Sequence, residues 1–276
     1  MQRIRLHDGC FDHEKSATLS GDNSGRGPQF IEWCREEPCE SLFTWYTDTN
    51  LHKAAFDFAP ERIAWLIEPP SLSDTHYKYA YKHRQGFRAI FTFVDFFVQM
   101  GSPYKFFPLG GSWIHLDQWG MHEKLENMSI IASMKKDSTG QALRHNIAKE
   151  FPSIEAFGTA YHQVDSKLEA LAPFRYSIVV ESWRGNSYFS EKLIDCLCVG
   201  TIPIYWGCPN IGKFFDEAGI ITFEYMSDLN DIIDFVIGKK DYEWRRAAIE
   251  HNIEIAKSYR CAEDWLFLNG GREFLK

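Results

Sequence analysis

The chain has 276 residues, 45% of them hydrophobic and 25% charged, and its formal net charge is −8. That length and composition predict a globular protein with one large core or two modest ones, and the net acidity argues against a nucleic-acid partner bound mainly through its phosphates. No apolar run approaches the roughly 18 residues that cross a bilayer. Because the N-terminus also lacks the apolar stretch of a signal peptide, we expect a cytoplasmic protein, at most peripheral to a membrane.

The cysteines give no sign of a metal site. There are seven, an odd number, and Cys196 and Cys198 lie within an apolar helical pattern. No pair makes a convincing metal knuckle. We therefore expect reduced thiols and no bound structural metal.

The first half of the chain predicts a small α/β sheet. Apolar segments with strand character alternate there with polar or helical segments, and they lie at 2–6, 42–46, 62–67, 89–94 and 104–108. The charged, weakly patterned stretch LDQWGMHEKLEN, residues 116–127, is typical of a linker. We therefore predict an N-terminal domain at 1–122 and a C-terminal domain at 123–276. The last helix of the second domain could pack against the first domain.

The second half predicts strands alternating with helices, which is the pattern of a doubly wound parallel sheet. The predicted strands lie at 128–133, 175–181, 201–206 and 219–223, and the predicted helices at 141–151, 191–199, 228–237 and 241–259. Ligands of such sheets bind beyond the carboxyl ends of the strands. The loops that follow the strands are therefore the places to look for a site.

One such loop, ESWRGNS, joins an apolar strand to a helix that Ser190 caps and Gly200 closes. Lys192 lies in the first turn of this helix, where the backbone N–H groups and the helix dipole already favour an anion. The cation and the helix terminus together suit a diphosphate. The alternative is that Lys192 faces water or pairs with Glu191 or Asp195.

Arg144 is a second candidate cation. It lies early in the helix that follows SMKKDSTGQAL, a strand-end loop, and an arginine there can bind phosphate oxygens through two N–H groups. The chain has no Asp-X-Asp pair, the motif with which many metal-dependent sugar transferases hold a divalent ion. Cations would then neutralise the phosphates, unless Arg144 is simply a solvated helix residue.

Several segments, in order, resemble the α1,3/4-fucosyltransferases of glycosyltransferase family 10. FRYSIVVESWRGNSYFSEKLIDCLCVGTIPIYWGCPNI is similar to the family's donor-binding signature, in which Phe-Glu-Asn-Ser precedes Tyr-X-Thr-Glu-Lys and a helix. SIIASMKKDSTGQALRHNIAKEF resembles the arginine-bearing helix before it, and RIAWLIEPPSLS the segment with the catalytic base, followed by IFTFVDFF and KFFPLGGSW. The similarity covers roughly residues 60 to 225, and an ordered match of this kind is more specific than any single motif.

The resemblance implies an α/β fold of GT-B architecture, with two Rossmann-like domains facing across a cleft. The N-terminal domain would bind the acceptor and the C-terminal domain the nucleotide sugar. The implied reaction is inverting, metal-independent transfer of L-fucose from GDP-fucose to a glycan hydroxyl, in an α1,3-type linkage. No cofactor would be required, and a divalent metal would at most stimulate the reaction.

The resemblance also assigns residues. Glu68 corresponds to the general base. Arg144 and Lys192 correspond to the pyrophosphate ligands. Tyr188 and Glu191 correspond to the Tyr and Glu of the signature. The predicted donor-binding residues are therefore Arg144, Glu181, Ser182, Tyr188, Glu191 and Lys192, and the predicted catalytic residues are Glu68 and Glu191.

Two positions depart from the family pattern near the donor. Val180 stands where the family has Phe, and Ser182 follows Glu181 where the family has Asn. The second change removes an amide beside the implied donor site. The identity of the donor sugar or base is therefore less secure than the phosphate contacts.

The residues suit this chemistry. Inverting transfer needs one base on the acceptor hydroxyl, and cations that stabilise the leaving diphosphate make a general acid unnecessary. Glu68 ends an apolar strand before Pro69 and Pro70, which fix the backbone there, although a surface glutamate would fit the same pattern. Glu191 either contacts the donor and stabilises charge on the sugar ring, or only complements the helix dipole.

Three further residues are acceptor-binding candidates: His52, Trp206 and Asn210. The alternative for His52 is an ordinary loop histidine with no contact to a ligand.

Two other functions stay open. One is a transferase of the same architecture that uses another nucleotide sugar or a non-glycan acceptor such as a modified DNA base, and the other is a non-catalytic sugar or nucleotide binder. The acceptor, the linkage and the oligomeric state are not fixed by the sequence.

Overall fold

The computed structural model describes residues 1–9, 15–18, 27–36, 38–237 and 241–275. It divides into two compact units. The first comprises Met1–Gly111, Asn186–Tyr188 and Tyr259–Lys276, and the second comprises Ser112–Gly185 and Phe189–Ser258. The chain therefore enters the second unit at Ser112, before the stretch 116–127 that the sequence predicts as a linker. The acceptor and donor roles of the domains 1–122 and 123–276 stay predictions.

Strands β1 to β11 follow one another along the described part of the chain. They are Gln2–His7, Ile31–Cys34, Phe43–Thr47, Glu61–Trp65, Ala89–Thr92, Tyr104–Phe106, Glu126–Ile131, Glu155–Phe157, Phe174–Val180, Ile202–Trp206 and Ile221–Thr222. Helices α1 to α9 are Pro70–Lys82, Asp95–Gln99, Thr139–Glu150, Lys167–Leu171, Glu191–Cys198, Asp228–Val236, Asp241–Trp244, Arg246–Lys257 and Ala262–Leu266.

Shorter helical segments complete the secondary structure. The 3₁₀ helices are Asp48–Ala55, Arg84–Gly86, Leu116–Gln118, Ile211–Lys213, Glu217–Gly219 and Arg272–Phe274, and Phe267–Gly271 is a π-helix. Among the described residues, no helix has the length and apolar character needed to cross a bilayer.

The first unit is built on a parallel sheet in the order β2-β1-β3-β4-β5-β6. Its core contains large aromatic side chains: the rings of Trp45 and Phe91 stack at 5.1 Å, and Trp45 Nε1 donates to the carbonyl of Phe274 at 3.0 Å. The C-terminal segment is thus part of this core. The sequence did not predict β2, because four residues that include the exposed Glu32 are too short to show a period.

A buried carboxylate ties distant segments of the first unit together. Glu263 in α9 has no exposed surface, and it accepts hydrogen bonds from Ser16 Oγ at 2.8 Å, Ala17 N at 2.7 Å and Trp33 Nε1 at 3.0 Å. A carboxylate buried at this depth needs several donors. The contact fixes residues near both ends of the chain in one unit.

The second unit has a parallel sheet in the order β11-β10-β9-β7-β8. Its central strand β9 is buried on both faces, and side chains such as Ile178, Ile204 and Leu229 form the core below the flanking helices. The helix predicted over 241–259 is broken at Arg245 into α7 and α8. Two short elements, β8 and α4, were not predicted. The two parallel α/β sheets confirm the predicted α/β fold.

Candidate donor and acceptor sites

The carboxyl edge of the second sheet is formed by the ends of β7, β9 and β10, and helices α3 and α5 begin there. Both helices are capped as expected from their sequences: Ser138 forms a capping box with Gln141, and Ser190 accepts from the backbone N–H of Lys192. Gly200, with φ of +69°, ends α5 in the left-handed conformation that favours glycine. Two helix N-termini with their N–H groups therefore meet at this edge.

Gly140 lets α3 approach the end of β9 closely. A Cβ atom at this position would lie 1.7 Å from the carbonyl oxygen of Glu181, which is far inside van der Waals contact. Only glycine fits there. The close approach also brings Arg144, about one turn further along α3, next to the end of β9.

Arg144 is held at the carboxyl end of β9. Its side chain is only 7% exposed, and its Nε donates to the carbonyl of Val180 at 2.9 Å. This bond orients the guanidinium plane next to the first residue of the loop. A buried arginine fixed in this way holds its planar guanidinium ready to bind two phosphate oxygens at once.

Glu181 links the strand end to the start of α5. It is fully buried, and its two carboxylate oxygens accept from Ser190 N at 2.8 Å and from Ser190 Oγ at 2.6 Å. Burial raises the pKa of this carboxyl group, and Lys192, 3.9 Å away, acts in the opposite direction. These bonds give Glu181 a structural task at the site, and direct binding of the donor stays a prediction.

Lys192 forms an ion pair with its neighbour. Its Nζ lies 2.8 Å from Glu191 Oε1 and donates to Ser190 Oγ at 3.1 Å. Of the partners that the sequence suggested for Lys192, the structure therefore shows Glu191. Burial would lower the pKa of Lys192, but the carboxylates of Glu191 and Glu181 raise it on balance. Burial likewise opposes charge on Glu191, yet Lys192 and Lys167 lower its pKa to about 2. The pair is therefore ionised at neutral pH.

Lys167, at the start of α4, was missed by sequence reasoning. Its Nζ lies 2.7 Å from Oδ2 of the buried Asp195 and 4.0 Å from Glu191 Oε1. Asp195 Oδ1 in turn accepts from Ser112 Oγ at 2.7 Å and from Trp113 N at 2.8 Å. A signal was present in the sequence, because Ser166 and Glu169 form the capping box that starts α4.

The predicted loop residues divide between the two units. Ser182 is buried next to Glu181 in the second unit. Tyr188 is also buried but belongs to the first unit, where its ring packs against Phe93 at 4.8 Å. The preceding Ser187, whose φ is +62°, donates to Asp95 Oδ1 at 2.9 Å in the same unit. The donor-binding roles of Ser182 and Tyr188 stay predictions.

Two acceptor candidates lie in the second unit. Trp206, at the end of β10, is 8% exposed, and its indole N–H donates to the carbonyl of Glu224 at 3.2 Å. Its ring also lies beside Gly140. The side-chain oxygen of Asn210 accepts from Cys208 Sγ at 2.9 Å. Trp206 therefore packs at the edge that holds Arg144, and acceptor binding by either residue stays a prediction.

Glu68 follows β4 at the carboxyl edge of the first sheet, where its backbone is held on both sides. Its N–H donates to the carboxylate of Asp48 at 3.3 Å, the N–H of Ile67 donates to the same group at 3.0 Å, and Tyr77 Oη donates to the Glu68 carbonyl at 2.9 Å. Glu68 itself is partly exposed. The turn that carries the predicted base is thus fixed.

Asp48, which anchors this turn, was not singled out from the sequence. It is 1% exposed and follows β3, the strand next to β4, with φ of +34°. Its position directly after an apolar strand was the available signal. His52 lies in the 3₁₀ segment that Asp48 begins and is exposed. Burial lowers the pKa of His76, and the charge of His52 acts in the same direction.

Within the described ranges, no group of three or more His, Cys, Asp or Glu side chains is arranged to hold a metal ion. The groups that meet at the edge of the second sheet are instead the cations Arg144, Lys167 and Lys192 with their carboxylate partners. This arrangement can bind and neutralise a polyanion.

Comparison with known proteins supplies relatives for a part of the chain. No protein-family model matches it. It is 31% identical over 78 residues to the α-(1,3)-fucosyltransferase FucT of Helicobacter pylori, and 24% identical over 91 residues to an α-(1,4)-fucosyltransferase of Arabidopsis thaliana. These matches take in 28% and 30% of this chain, but only 16% and 23% of the two relatives.

The fold extends the similarity over most of the chain. A crystal structure of an α1,3-fucosyltransferase matches with a TM-score of 0.57 at 16% identity, covering 89% of this chain and 81% of that one. A structure of an α1,3-fucosyltransferase with GDP-fucose matches with a TM-score of 0.54 at 14% identity over 90% and 82%. Anabaena HepE in complex with UDP-glucose matches with 0.59 at 11% identity over 84% and 79%. The chain has the GT-B fold, and its resemblance to the α1,3/4-fucosyltransferases of glycosyltransferase family 10 is confirmed.

Proposed function

We propose that the protein transfers L-fucose from GDP-fucose to a hydroxyl group of a glycan, with inversion and in an α1,3-type linkage. The observation that carries this proposal is the group of cations at the start of α3 and α5, beyond the carboxyl end of β9. In open α/β sheets this is where nucleotide ligands bind. The sequence relatives are fucosyltransferases, which makes GDP-fucose the first donor to test.

The diphosphate of the donor would bind Arg144, Lys192 and the N-terminus of α5. Arg144 offers a planar pair of donors, and Lys192 offers a point charge beside the positive end of the α5 dipole. Binding would draw Lys192 from Glu191 towards the phosphate oxygens. Because charge builds on the diphosphate as it leaves, fixed cations stabilise the transition state, and this protein would need no divalent metal for that task.

Glu191 would keep its charge during this exchange. Its pKa is lowered to about 2 by two lysines, and Lys167 remains 4.0 Å away when Lys192 turns to the donor. An ionised carboxylate at this place can accept a hydrogen bond from the donor's sugar or ribose and stabilise the positive charge that develops on the sugar ring. Lys167 would act as a positioning residue for Glu191, through its anchor Asp195.

Glu68 would be the general base. In an inverting transfer, the acceptor hydroxyl loses its proton as its oxygen attacks the anomeric carbon, and GDP leaves from the opposite face. The bonds from Asp48 and Tyr77 fix the backbone that carries Glu68, which limits the positions of its carboxylate. His52, in the segment that begins at Asp48, is the acceptor candidate closest in sequence to this anchor.

A second candidate is a transferase that uses another nucleotide sugar. Two observations favour it: the fold similarity to HepE, whose structure contains UDP-glucose, and Ser182 in place of the family's Asn beside the donor site. The first concerns the fold alone. The second concerns a buried residue next to Glu181, where the sugar or base would be recognised.

A donor panel tests the proposal. Thermal shifts with GDP-fucose, GDP-mannose, UDP-glucose and free GDP would rank the ligands, because a ligand bound only by the native state raises its stability by RT ln(1 + [L]/Kd). We expect the largest shift with GDP-fucose and GDP, and release of GDP from GDP-fucose in the presence of a β-galactoside or N-acetylglucosamine acceptor. Stabilisation by UDP-glucose alone would favour the second candidate.

A further inference from the structure

A groove of about 460 Å³ lies at the amino edge of the first sheet, where β4, β5 and β6 begin. Three of its lining residues are the arginines Arg62, Arg84 and Arg88, against one acidic residue, Glu61. The edge is remote in topology from Glu68, since Glu68 follows the carboxyl end of β4 and the groove lies at its amino end. None of the steps proposed above uses these arginines.

Two of the arginines are oriented by backbone carbonyls. Arg62 Nη2 donates to the carbonyl of Asp57 at 2.7 Å, and Arg84 Nη1 donates to the carbonyl of Tyr81 at 2.9 Å with its guanidinium 4.8 Å above the Tyr81 ring. The Nε of Arg62 is buried and has no hydrogen-bond partner among the described residues. Because a guanidinium carries five N–H donors, both side chains keep donors for an anionic ligand.

The surrounding sequence is strongly basic, although the chain as a whole is acidic. Between positions 75 and 94 there are four Lys or Arg residues and no Asp or Glu, whereas the net charge of the whole chain is −8. This stretch contains the end of α1, the turn that lines the groove and the start of β5. The local charge is therefore opposite to that of the protein.

Exposed aromatic side chains adjoin the groove. Phe56 and Phe58 are 83% and 99% exposed, and they flank Asp57, whose carbonyl binds Arg62. Tyr81, below the Arg84 guanidinium, is 44% exposed. Large apolar rings almost entirely in water beside arginines are typical of surfaces that lie in a membrane interface, where rings enter the headgroup region and cations bind lipid phosphates.

We propose that this surface, formed by Phe56, Phe58, Arg62, Arg84 and Arg88, docks on an anionic phospholipid membrane. The arginines bind headgroup phosphates, and the two phenylalanines enter the interface. Glu68, which follows the carboxyl end of β4, then lies at the opposite edge of the sheet from the lipid. This inference does not depend on the identity of the donor sugar, and it makes the protein peripheral to a membrane.

The test is co-sedimentation of the full chain with large vesicles of phosphatidylcholine alone, or of phosphatidylcholine and phosphatidylglycerol at 7:3. We expect binding only to the anionic vesicles, weakened by added salt. Each arginine near an anionic surface contributes about fivefold in affinity, so Arg84→Ala with Arg88→Ala should lower it by roughly 25-fold. Phe56→Ser with Phe58→Ser should lower it by about tenfold or more.

The charge-matched control is Arg246→Ala with Lys257→Ala, two exposed positions on α8 in the second unit. The affinity of this control variant for anionic vesicles should lie within about twofold of that of the wild type, which is a smaller change than the roughly fivefold effect of one arginine at the membrane. All variants should keep the wild-type melting temperature and the wild-type activity on soluble substrates, which separates this inference from the proposed function.

Three results with vesicles would overturn the inference: equal binding to both kinds of vesicle, wild-type affinity in the double arginine variant, or an equal loss of affinity in the control variant. A calorimetric titration with inorganic phosphate and glycerol phosphate shows whether the groove binds soluble phosphates or only the phosphates of a lipid membrane. Submillimolar binding of either soluble phosphate in the groove, without vesicle binding, would assign the groove to a soluble phosphate ester and end the membrane proposal.

Discussion

At the scale of single residues, the candidate donor site consists of charges that neutralise one another. Lys192 pairs with Glu191, and Lys167 pairs with Asp195. The sequence allowed Arg144 and Lys192 to be chosen, because both follow strand ends at helix N-termini. It did not reveal Lys167, whose partner lies 28 positions away, nor Asp48, which acts on the backbone of a residue 20 positions away.

The cations should dominate nucleotide binding. We expect Lys192→Ala and Arg144→Ala each to weaken GDP binding by about 1.5 to 3 kcal/mol, the usual contribution of a hydrogen bond to a charged group. Isothermal titration calorimetry measures this directly, and Arg246→Ala is a control with the same charge change on an exposed helix. Unchanged affinity in both site variants would move the diphosphate elsewhere.

Lys167 should support Glu191 in a way that depends on pH. The pKa of Glu191 is lowered from 4.5 to about 2, so its ion pairs stabilise the folded state above about pH 4.5 and lose this effect as the pH falls towards 2. Lys167→Met should therefore reduce the free energy of unfolding at pH 7, and the difference from wild type should shrink below pH 4.5. Urea unfolding at pH 7, 4 and 3 would show it, and a difference that is constant with pH would contradict the assignment.

At the scale of elements, the site depends on how closely α3 packs against the end of β9. The pattern of apolar residues predicted both elements, and it also predicted the caps at Ser190 and Gly200. It could not show that Gly140 touches the carbonyl of Glu181, because that contact forms only when the strand and the helix are assembled. Short elements such as β2, β8 and α4 escaped prediction since three to five residues show no clear period.

Gly140→Ala tests this packing. Its Cβ would lie 1.7 Å from the Glu181 carbonyl oxygen, so α3 must move, and we expect a destabilisation of roughly 1 to 3 kcal/mol together with weaker GDP binding. Gly86→Ala is the matched control, because an added Cβ there meets nothing within 4 Å. Thermal unfolding measures the loss of stability in both variants, and calorimetry measures their affinity for GDP. Equal effects of the two substitutions would mean that the contact at Gly140 is unimportant.

At the scale of the whole molecule, the sequence predicted the fold class and the resemblance. The two sheets and the solved structures confirm the fold, and the matches to curated fucosyltransferases confirm the resemblance. It did not predict which residues each unit recruits from elsewhere in the chain. Asn186–Tyr188 belongs to the first unit although its neighbours belong to the second, and the chain enters the second unit at Ser112. Such exchanges follow from tertiary packing of Tyr188 on Phe93, which local patterns do not contain.

The predicted independence of a divalent metal is tested on the whole molecule. If Arg144, Lys192 and the N-terminus of α5 neutralise the diphosphate, transfer should persist in excess EDTA at a rate within about threefold of that with added Mn²⁺, because no step needs a Lewis acid. Initial rates with and without chelator check this. Complete loss in EDTA, restored by Mn²⁺, would show that the cations are insufficient.

The central claim is that Glu68 is the base of a fucosyl transfer whose donor is bound by the second unit. The most direct measurement is steady-state kinetics of Glu68→Gln with GDP-fucose and a confirmed acceptor, alongside its affinity for GDP. Because Gln keeps the shape but cannot accept the proton, kcat should fall by roughly 10²- to 10⁴-fold while GDP affinity is unchanged. A folded Glu68→Gln protein whose kcat for fucose transfer lies within about threefold of the wild-type value, instead of falling at least 10²-fold, would contradict the account.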